Sequence, residues 1–136
     1  MSADSTMPAR KRPLILIVED HSAVRAALND WLTSAFAECR VASAASGEEA
    51  LTLAAANPPD VVVMDVSLPQ MSGIEAARRL RTLLPAARVL MLSIYEAQQY
   101  RMESERAGAS AYVAKRTMHL DLVPALRRLL AEASAN

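Results

Sequence analysis

The chain has a single cysteine, Cys39, so no disulfide can form within it. That usage fits a reducing compartment, where a buried and inert thiol is the default. Charge of neither sign is in excess: 15 basic and 15 acidic residues leave a formal net charge of zero. Nucleic-acid binding needs a basic surface, and a neutral chain does not advertise one. The cluster Arg10-Lys11-Arg12 reads as a solvated tail beside the first strand, with contact to an anionic partner as the alternative. No apolar run approaches the roughly 20 residues that span a bilayer. Between Met1 and Pro13 there is no hydrophobic signal region, only a polar stretch. These absences point to a cytoplasmic chain that does not enter a membrane.

What remains is a globular composition, 52% hydrophobic and 22% charged over 136 residues, enough for one domain with its own core. No internal repeat, low-complexity segment or interdomain linker interrupts it. Strand and helix signals alternate. Leu14-Ile15-Leu16-Ile17-Val18 is a short apolar run rich in β-branched residues, as a strand covered on both faces requires. Val24, Ala27, Leu28, Trp31, Leu32 and Ala35 recur at helical spacing, which makes Trp31 core rather than a binding aromatic. Arg40 to Ser43 is a weak strand. Ser46-Gly47-Glu48-Glu49 and Ser72-Gly73-Ile74-Glu75 both have capping-box spacing and open helices. The first of these helices reaches about Ala56; the second turns Ile74, Ala77, Leu80 and Leu84 inward and Arg78, Arg79 and Arg81 outward. Asp60 to Asp65, Arg88 to Ser93 and Ala111 to Lys115 are three further strands. Glu96 to Ala107 reads as a helix capped by Gly108, and Leu120 to Ala133 as a last helix with Leu122, Leu126, Leu129 and Leu130 inward. Pro124 is tolerable only in a first turn, which places that start near His119 to Asp121. Five strands alternating with five helices imply a parallel sheet with right-handed crossovers and helices on both faces.

Every polar residue that interrupts a strand signal lies at a carboxyl end: Glu19 and Asp20 after the first strand, Asp65 at the third, Ser93 at the fourth, Lys115 at the fifth. Parallel strands put these ends on one edge, where ligands bind in open α/β sheets. Clustered carboxylates repel one another, so a divalent cation or a raised pKa is needed to hold them. A carboxylate nucleophile, acids for a metal, a hydroxyl and a cation together suit phosphoryl transfer to a carboxylate. Each residue alone has a plainer reading. Asp65 would then be a capping acid, Glu19 and Asp20 acids at a helix N-terminus, Ser93 a strand-end hydroxyl and Lys115 a solvated lysine. His21 is either a helix-start residue or one facing a phosphate donor; the former is the expectation. The seven methionines read as core filler.

Taken in order, Val18-Glu19-Asp20, Met64-Asp65 with Leu68-Pro69-Gln70-Met71-Ser72-Gly73, Leu92-Ser93 and Tyr112-Val113-Ala114-Lys115 resemble the receiver domain of bacterial two-component response regulators. The resemblance runs from about Pro13 to Leu130. The segment MDVSLPQMSGIEAARRLR is similar to the subfamily that usually carries a LuxR-type helix-turn-helix output domain. The resemblance implies a flavodoxin-like (βα)5 fold with strand order 2-1-3-4-5. It makes residues 13–131 the receiver domain, 1–12 a flexible tail, and 132–136 a tail or the start of a linker.

It also implies roles. Asp65 would be the phosphoacceptor, and Glu19, Asp20, Asp65 and the backbone carbonyl of Ser67 would hold Mg²⁺. Lys115 would pair with a phosphoryl oxygen, and Ser93 would move to donate a hydrogen bond to another. Tyr112 would be an aromatic switch that turns inward as Ser93 moves, with a static half-buried tyrosine as the alternative. The partners implied are a sensor histidine kinase or phosphotransfer protein, and a second copy through the helix 4–strand 5–helix 5 face. DNA would be reached only through an output domain that this chain lacks. The chain departs from the family at Arg116, where many receivers have a proline often joined by a cis bond; a trans bond is expected here. It departs again at the bulky Ile94, which with Tyr95 flanks the site. An aspartyl-phosphate phosphohydrolase of the haloacid-dehalogenase type would need an acid where Ser67 stands. An unphosphorylated docking module is the third reading, opposed by the presence of all five polar residues.

Overall fold

Each short apolar run becomes a strand, and each run with apolar residues three and four apart becomes a helix. The structure, a computed structural model, describes residues 12–134. The expected tail before residue 12, with Arg10 and Lys11, and the last two residues lie outside the described residues. In chain order the elements are β1 (Leu14–Val18), α1 (Ser22–Ala35), β2 (Arg40–Ala44), α2 (Gly47–Ala56), β3 (Val61–Asp65), α3 (Gly73–Leu83), β4 (Arg88–Ser93), α4 (Gln98–Arg106), β5 (Ala111–Ala114) and α5 (Met118–Ser134). A 3₁₀ turn, Lys115–Thr117, joins β5 to α5. All strand pairs are parallel, in the order β2-β1-β3-β4-β5. This is the doubly wound sheet that the alternation and the resemblance anticipate.

Successive side chains of a strand point to opposite faces, so each buried strand feeds two cores. Ile15, Ile17, Val61, Val63, Leu90, Leu92 and Val113 pack against Leu28 and Leu32 of α1 and Leu122, Leu126 and Leu129 of α5. Leu16, Val18, Val62, Met64, Val89 and Met91 pack against Ala50 and Ala54 of α2 and Ala76, Ala77 and Leu80 of α3. Burial on both faces explains why these strands read as continuous apolar runs instead of alternating. Trp31 packs at the edge of the first of these cores, as its place in the α1 stripe requires.

Local chemistry sets the helix starts. Ser46 accepts from the Glu49 backbone N–H at 3.1 Å and Ser72 from that of Glu75 at 3.2 Å. Glu49 reaches back to the backbone N–H of Ala45 at 2.7 Å, closing the reciprocal half of the box one residue earlier than the usual pattern. Glu75 instead pairs with Arg78 and Arg79, which with Arg81 face solvent.

Several boundaries differ from the sequence expectation. Ala27 is exposed, because the buried line of α1 runs narrowly through Leu28 and Leu32. β3 starts at Val61, because the Asp60 carboxylate turns aside to accept from the backbone N–H of Leu14 at 2.8 Å. Lys115 belongs to the 3₁₀ turn after β5 and not to the strand. α4 starts at Gln98, two residues later than expected, since Glu96 is drawn off to Arg116. Its cap is Ala107, with Gly108 next at φ +103°, the left-handed conformation that glycine adopts freely. α5 begins at Met118, so Pro124 lies in its second turn. The carbonyl left without a partner by that proline is that of Leu120, an exposed residue that water can reach.

Candidate functional site at the carboxyl edge of the sheet

Strand register brings the polar ends to one level. Val18 is paired with Met64, so Glu19 follows β1 at the height of Asp65. Asp65 pairs with Leu92, and Ser93 with Ala114, which sets Lys115 one step beyond Ser93. Side-chain parity then divides them. Asp65 continues the Val61-Val63 row and Lys115 the Val113 row, toward the α1/α5 side. Ser93 continues the Val89-Met91 row, and Tyr112 packs on that same α2/α3 side.

The contacts follow that division. The Lys115 ammonium donates to Asp65 Oδ2 at 2.9 Å and to Glu19 Oε1 at 3.0 Å. Asp65 and Glu19 are both buried, and the lysine is their shared counter-ion. Asp65 Oδ1 accepts from the backbone N–H of Ser67 at 2.9 Å. Glu19 Oε2 accepts from the backbone N–H of His21 at 3.1 Å and lies 3.0 Å from its Nδ1. Arg25, one turn into α1, donates to the Glu19 carbonyl at 2.8 Å and fixes the acidic turn from below.

These surroundings set the charges apart. Burial raises the Asp65 pKa, and the bonds from Lys115 and Ser67 offset only part of it. Burial also opposes ionisation of Glu19, but the bonds from His21 and Lys115 outweigh it and hold this carboxyl down at about 2. Burial favours the neutral form of Lys115, yet its two carboxylate partners raise its pKa above the ordinary value. The two buried carboxyls are therefore driven apart, Glu19 toward its charged form and Asp65 toward its protonated form, around one shared ammonium.

Asp20 is different. Its Oδ1 is buried and has no hydrogen-bond partner, with His21 Nδ1 lying 3.5 Å away. Glu19, Asp20 and His21 can each offer one ligand atom, all within 4.8 Å of one another. A buried anionic oxygen with no donor is what a hard cation would satisfy. The donor set fits a divalent ion on this observation. Asp65 is not in that group, and its Oδ2 is turned to Lys115.

Ser93 is buried but does not bond to Asp65; its Oγ accepts from the backbone N–H of Tyr95 at 2.9 Å. The Tyr112 hydroxyl donates to the Tyr95 carbonyl at 2.6 Å, and the Arg101 guanidinium covers its ring at 4.7 Å. The ring of Tyr95 stacks on Tyr100 with centroids 4.6 Å apart. Ile94 and Tyr95 are 64% and 40% exposed. The peptide bond at Arg116 is trans, as its sequence implies. Arg116 points to Glu96 in a two-bond fork, 2.9 and 3.0 Å.

Of the sequence candidates, the structure joins Glu19, Asp65 and Lys115 directly, sets Asp20 beside them, and keeps Ser93 and Tyr112 one layer away. Ser67 enters through its backbone N–H. Sequence reasoning missed Arg25 and the turn of His21: His21 holds the N-cap position of α1 but makes no side-chain cap, and its ring lies on the acids. Adjacency of His21 to the acidic pair was the one signal for it; a guanidinium five residues beyond Asp20 gives none.

Comparison with known proteins agrees with this geometry. The family model of the response regulator receiver domain matches residues 15–127. The chain is 38% identical over 117 residues to the transcriptional activator protein ExaE of Pseudomonas putida, covering 86% of this chain and 55% of that protein. It is similar in structure to a LuxR-family two-component response regulator from Aurantimonas sp. SI85-9A1, at 36% identity and TM-score 0.82, covering 88% and 85% of the two chains. A CheY-like receiver domain protein from Methanospirillum hungatei has 27% identity and TM-score 0.81, covering 90% and 97%. The chain spans about half or less of the length of the curated relatives it matches first. Among the described residues no helix is long and apolar enough to cross a membrane. The chain belongs to the response regulator receiver domains of two-component systems, a family of signalling domains, and LuxR-family regulators are among its relatives.

Proposed function

We propose that this chain is a phosphorylation-controlled switch whose acceptor is Asp65. The observation that carries the reading is the buried Asp65 carboxylate held at 2.9 Å by an ammonium that it shares with Glu19, at the carboxyl edge of the sheet. The phosphoryl donor is a phosphohistidine of a sensor histidine kinase or phosphotransfer protein. A carboxylate oxygen of Asp65 attacks phosphorus, the P–N bond breaks with its electron pair and a proton going to the imidazole, and an acyl phosphate forms. Attack of water on phosphorus reverses the state, releasing inorganic phosphate and the Asp65 carboxylate.

Lys115 is positioned to follow the charge from Asp65 to the phosphoryl oxygens as a point charge. Asp20, Asp65, Glu19 and the Ser67 carbonyl would hold Mg²⁺, which when bound supplies positive charge that offsets the phosphoryl group. Ser93 leaves Tyr95 and donates to the phosphoryl group; Tyr112 then turns into the space that Ser93 vacates. Shifting such a two-state element from about 1:99 to 99:1 takes roughly 5.5 kcal/mol. Several charge-assisted hydrogen bonds of ~1.5–3 kcal/mol each are of that size.

The altered α4–β5–α5 face binds a partner or a second copy. We assign the domain to residues 13–131 and its place of work to the cytoplasm. In a longer chain, like its relatives, the output would be transcription control. The test is intact mass after incubation with acetyl phosphate and Mg²⁺, beside Asp65→Asn and a metal-free control. A single adduct that requires the metal and is absent in Asp65→Asn is expected. No adduct from acetyl phosphate or from a panel of phosphorylated histidine kinases would overturn the reading in favour of a docking module.

A further inference from the structure

The Tyr95–Glu96 segment between β4 and α4 is held from four directions. Its Tyr95 N–H is bound by Ser93 Oγ at 2.9 Å and its Tyr95 carbonyl by the Tyr112 hydroxyl at 2.6 Å. The Tyr95 ring lies on Tyr100 at 4.6 Å. The Glu96 carboxylate takes both arms of the Arg116 fork at 2.9 and 3.0 Å. The first two bonds belong to the residues that the switch moves. The ion pair belongs to neither, yet it ties the same segment to the residue directly after Lys115. It joins the β4–α4 connection to the β5–α5 connection, the two pieces of backbone that flank Ser93 and Lys115.

We propose that Glu96 and Arg116 form an ionic latch that holds the β4–α4 connection in the state where Ser93 and Tyr112 are bonded to Tyr95. The regulatory consequence rests on the switch proposed above; the latch itself does not. Both partners are largely solvent-exposed, at 72% and 46% of their side chains. An exposed pair contributes little to the stability of a fold and is screened by salt, which suits a contact that must open reversibly. The fork geometry supplies direction that a single contact would lack. Arg116 holds Glu96 below the ordinary carboxylate range, so the pair stays charged at neutral pH. Releasing it frees Tyr95 to shift, and with it the acceptor and donor that occupy Tyr112 and Ser93.

The test is amide hydrogen exchange of the unphosphorylated full chain, at about 0.05 M and 1 M NaCl, where the screening length differs roughly fourfold. The variants are Glu96→Gln, Arg116→Gln and the double substitution. At low salt each single variant is expected to exchange about threefold or more faster over Ile94 to Ala97, with α1 unchanged. The double variant is expected to match the singles, and wild type at high salt to approach them. Unchanged exchange in either single, additive effects in the double, or a wild type insensitive to salt overturns the latch. Intact mass with acetyl phosphate and with the panel of phosphorylated histidine kinases runs beside it: failure of wild type to take phosphate from either source sinks the proposed switch, while exchange decides the latch independently.

Discussion

Gly73 and Asp65 meet backbone to side-chain position with no room between them: a Cβ on Gly73 would stand 1.9 Å from the Asp65 carbonyl oxygen and 2.8 Å from its carbonyl carbon. The amide of Gly73 also donates to the Val66 carbonyl at 2.9 Å, so α3 is sewn onto the end of β3. The glycine is needed there for approach and not for its φ. Gly73→Ala must therefore push α3 away from the strand that carries Asp65. Overpacking of this kind costs about 1–3 kcal/mol and more against rigid backbone. Urea unfolding should give a loss of at least about 3 kcal/mol, and a variant as stable as wild type would refute the close approach.

Asp65 makes the fold less stable when it ionises. Burial raises its pKa above the ordinary 3.8, so the folded chain holds this proton more firmly than the unfolded chain does. The penalty begins as pH rises past 3.8 and is complete once pH passes the raised folded value. Asp65→Asn should then raise Tm at pH 7, at about 3–6 °C per kcal/mol for a domain of this size, and the gain should shrink towards pH 3. Equal gains at both pH values would assign the effect to packing.

Glu19 acts in the opposite direction. Its folded value of about 2 lies below the ordinary 4.5, so its stabilisation is present above 4.5 and is lost as pH falls towards 2. Glu19→Gln is expected to lose stability at neutral pH and to flatten the acid limb of the unfolding curve. An acid limb identical to that of wild type would locate acid sensitivity elsewhere.

The Asp20 oxygen, without a hydrogen-bond partner and with only His21 at 3.5 Å, predicts a cation effect. A ligand that binds only the folded chain stabilises by about 1.4 kcal/mol at ten times its Kd. Mg²⁺ titration should raise the wild-type Tm accordingly, and Asp20→Asn should abolish most of the rise. A similar rise in both proteins would mean that the ion sits elsewhere.

Ser46 offers a control away from the site. Its hydroxyl accepts from Glu49 at 3.1 Å at the start of α2. Ser46→Ala should cost about 1 kcal/mol in urea unfolding and leave phosphorylation by acetyl phosphate unchanged. A loss of phosphorylation would show that α2 is coupled to the edge.

Much of this architecture was legible because local and global signals agree. Ile15 and Ile17 have partners on one side of the sheet, and Leu16 and Val18 on the other, so the run LILIV could only be a fully covered strand. The serine caps at Ser46 and Ser72 fixed two helix starts to the residue. The site was legible as a set of strand ends, since parallel strands leave one edge for all of them. What sequence could not convey was parity and rotamer. Nothing in Leu92-Ser93 says that the hydroxyl will face Tyr95 and not Asp65, and nothing in Glu96 says that it will leave α4 for Arg116. Both depend on contacts between elements that are distant in sequence. Pro124 misled because the helix begins at Met118, which puts the proline in the second turn, four residues after the exposed Leu120.

Parity along the strands has an evolutionary consequence. Glu19, Asp65 and Lys115 lie toward α1 and α5, while Ser93, Tyr112 and Tyr95 form a separate bonded group on the other side. Ser93 is the residue that joins the two groups, since it would also have to reach the phosphoryl group. Evolution can therefore retune Tyr112 or Tyr95 more freely than the one hydroxyl that both groups share.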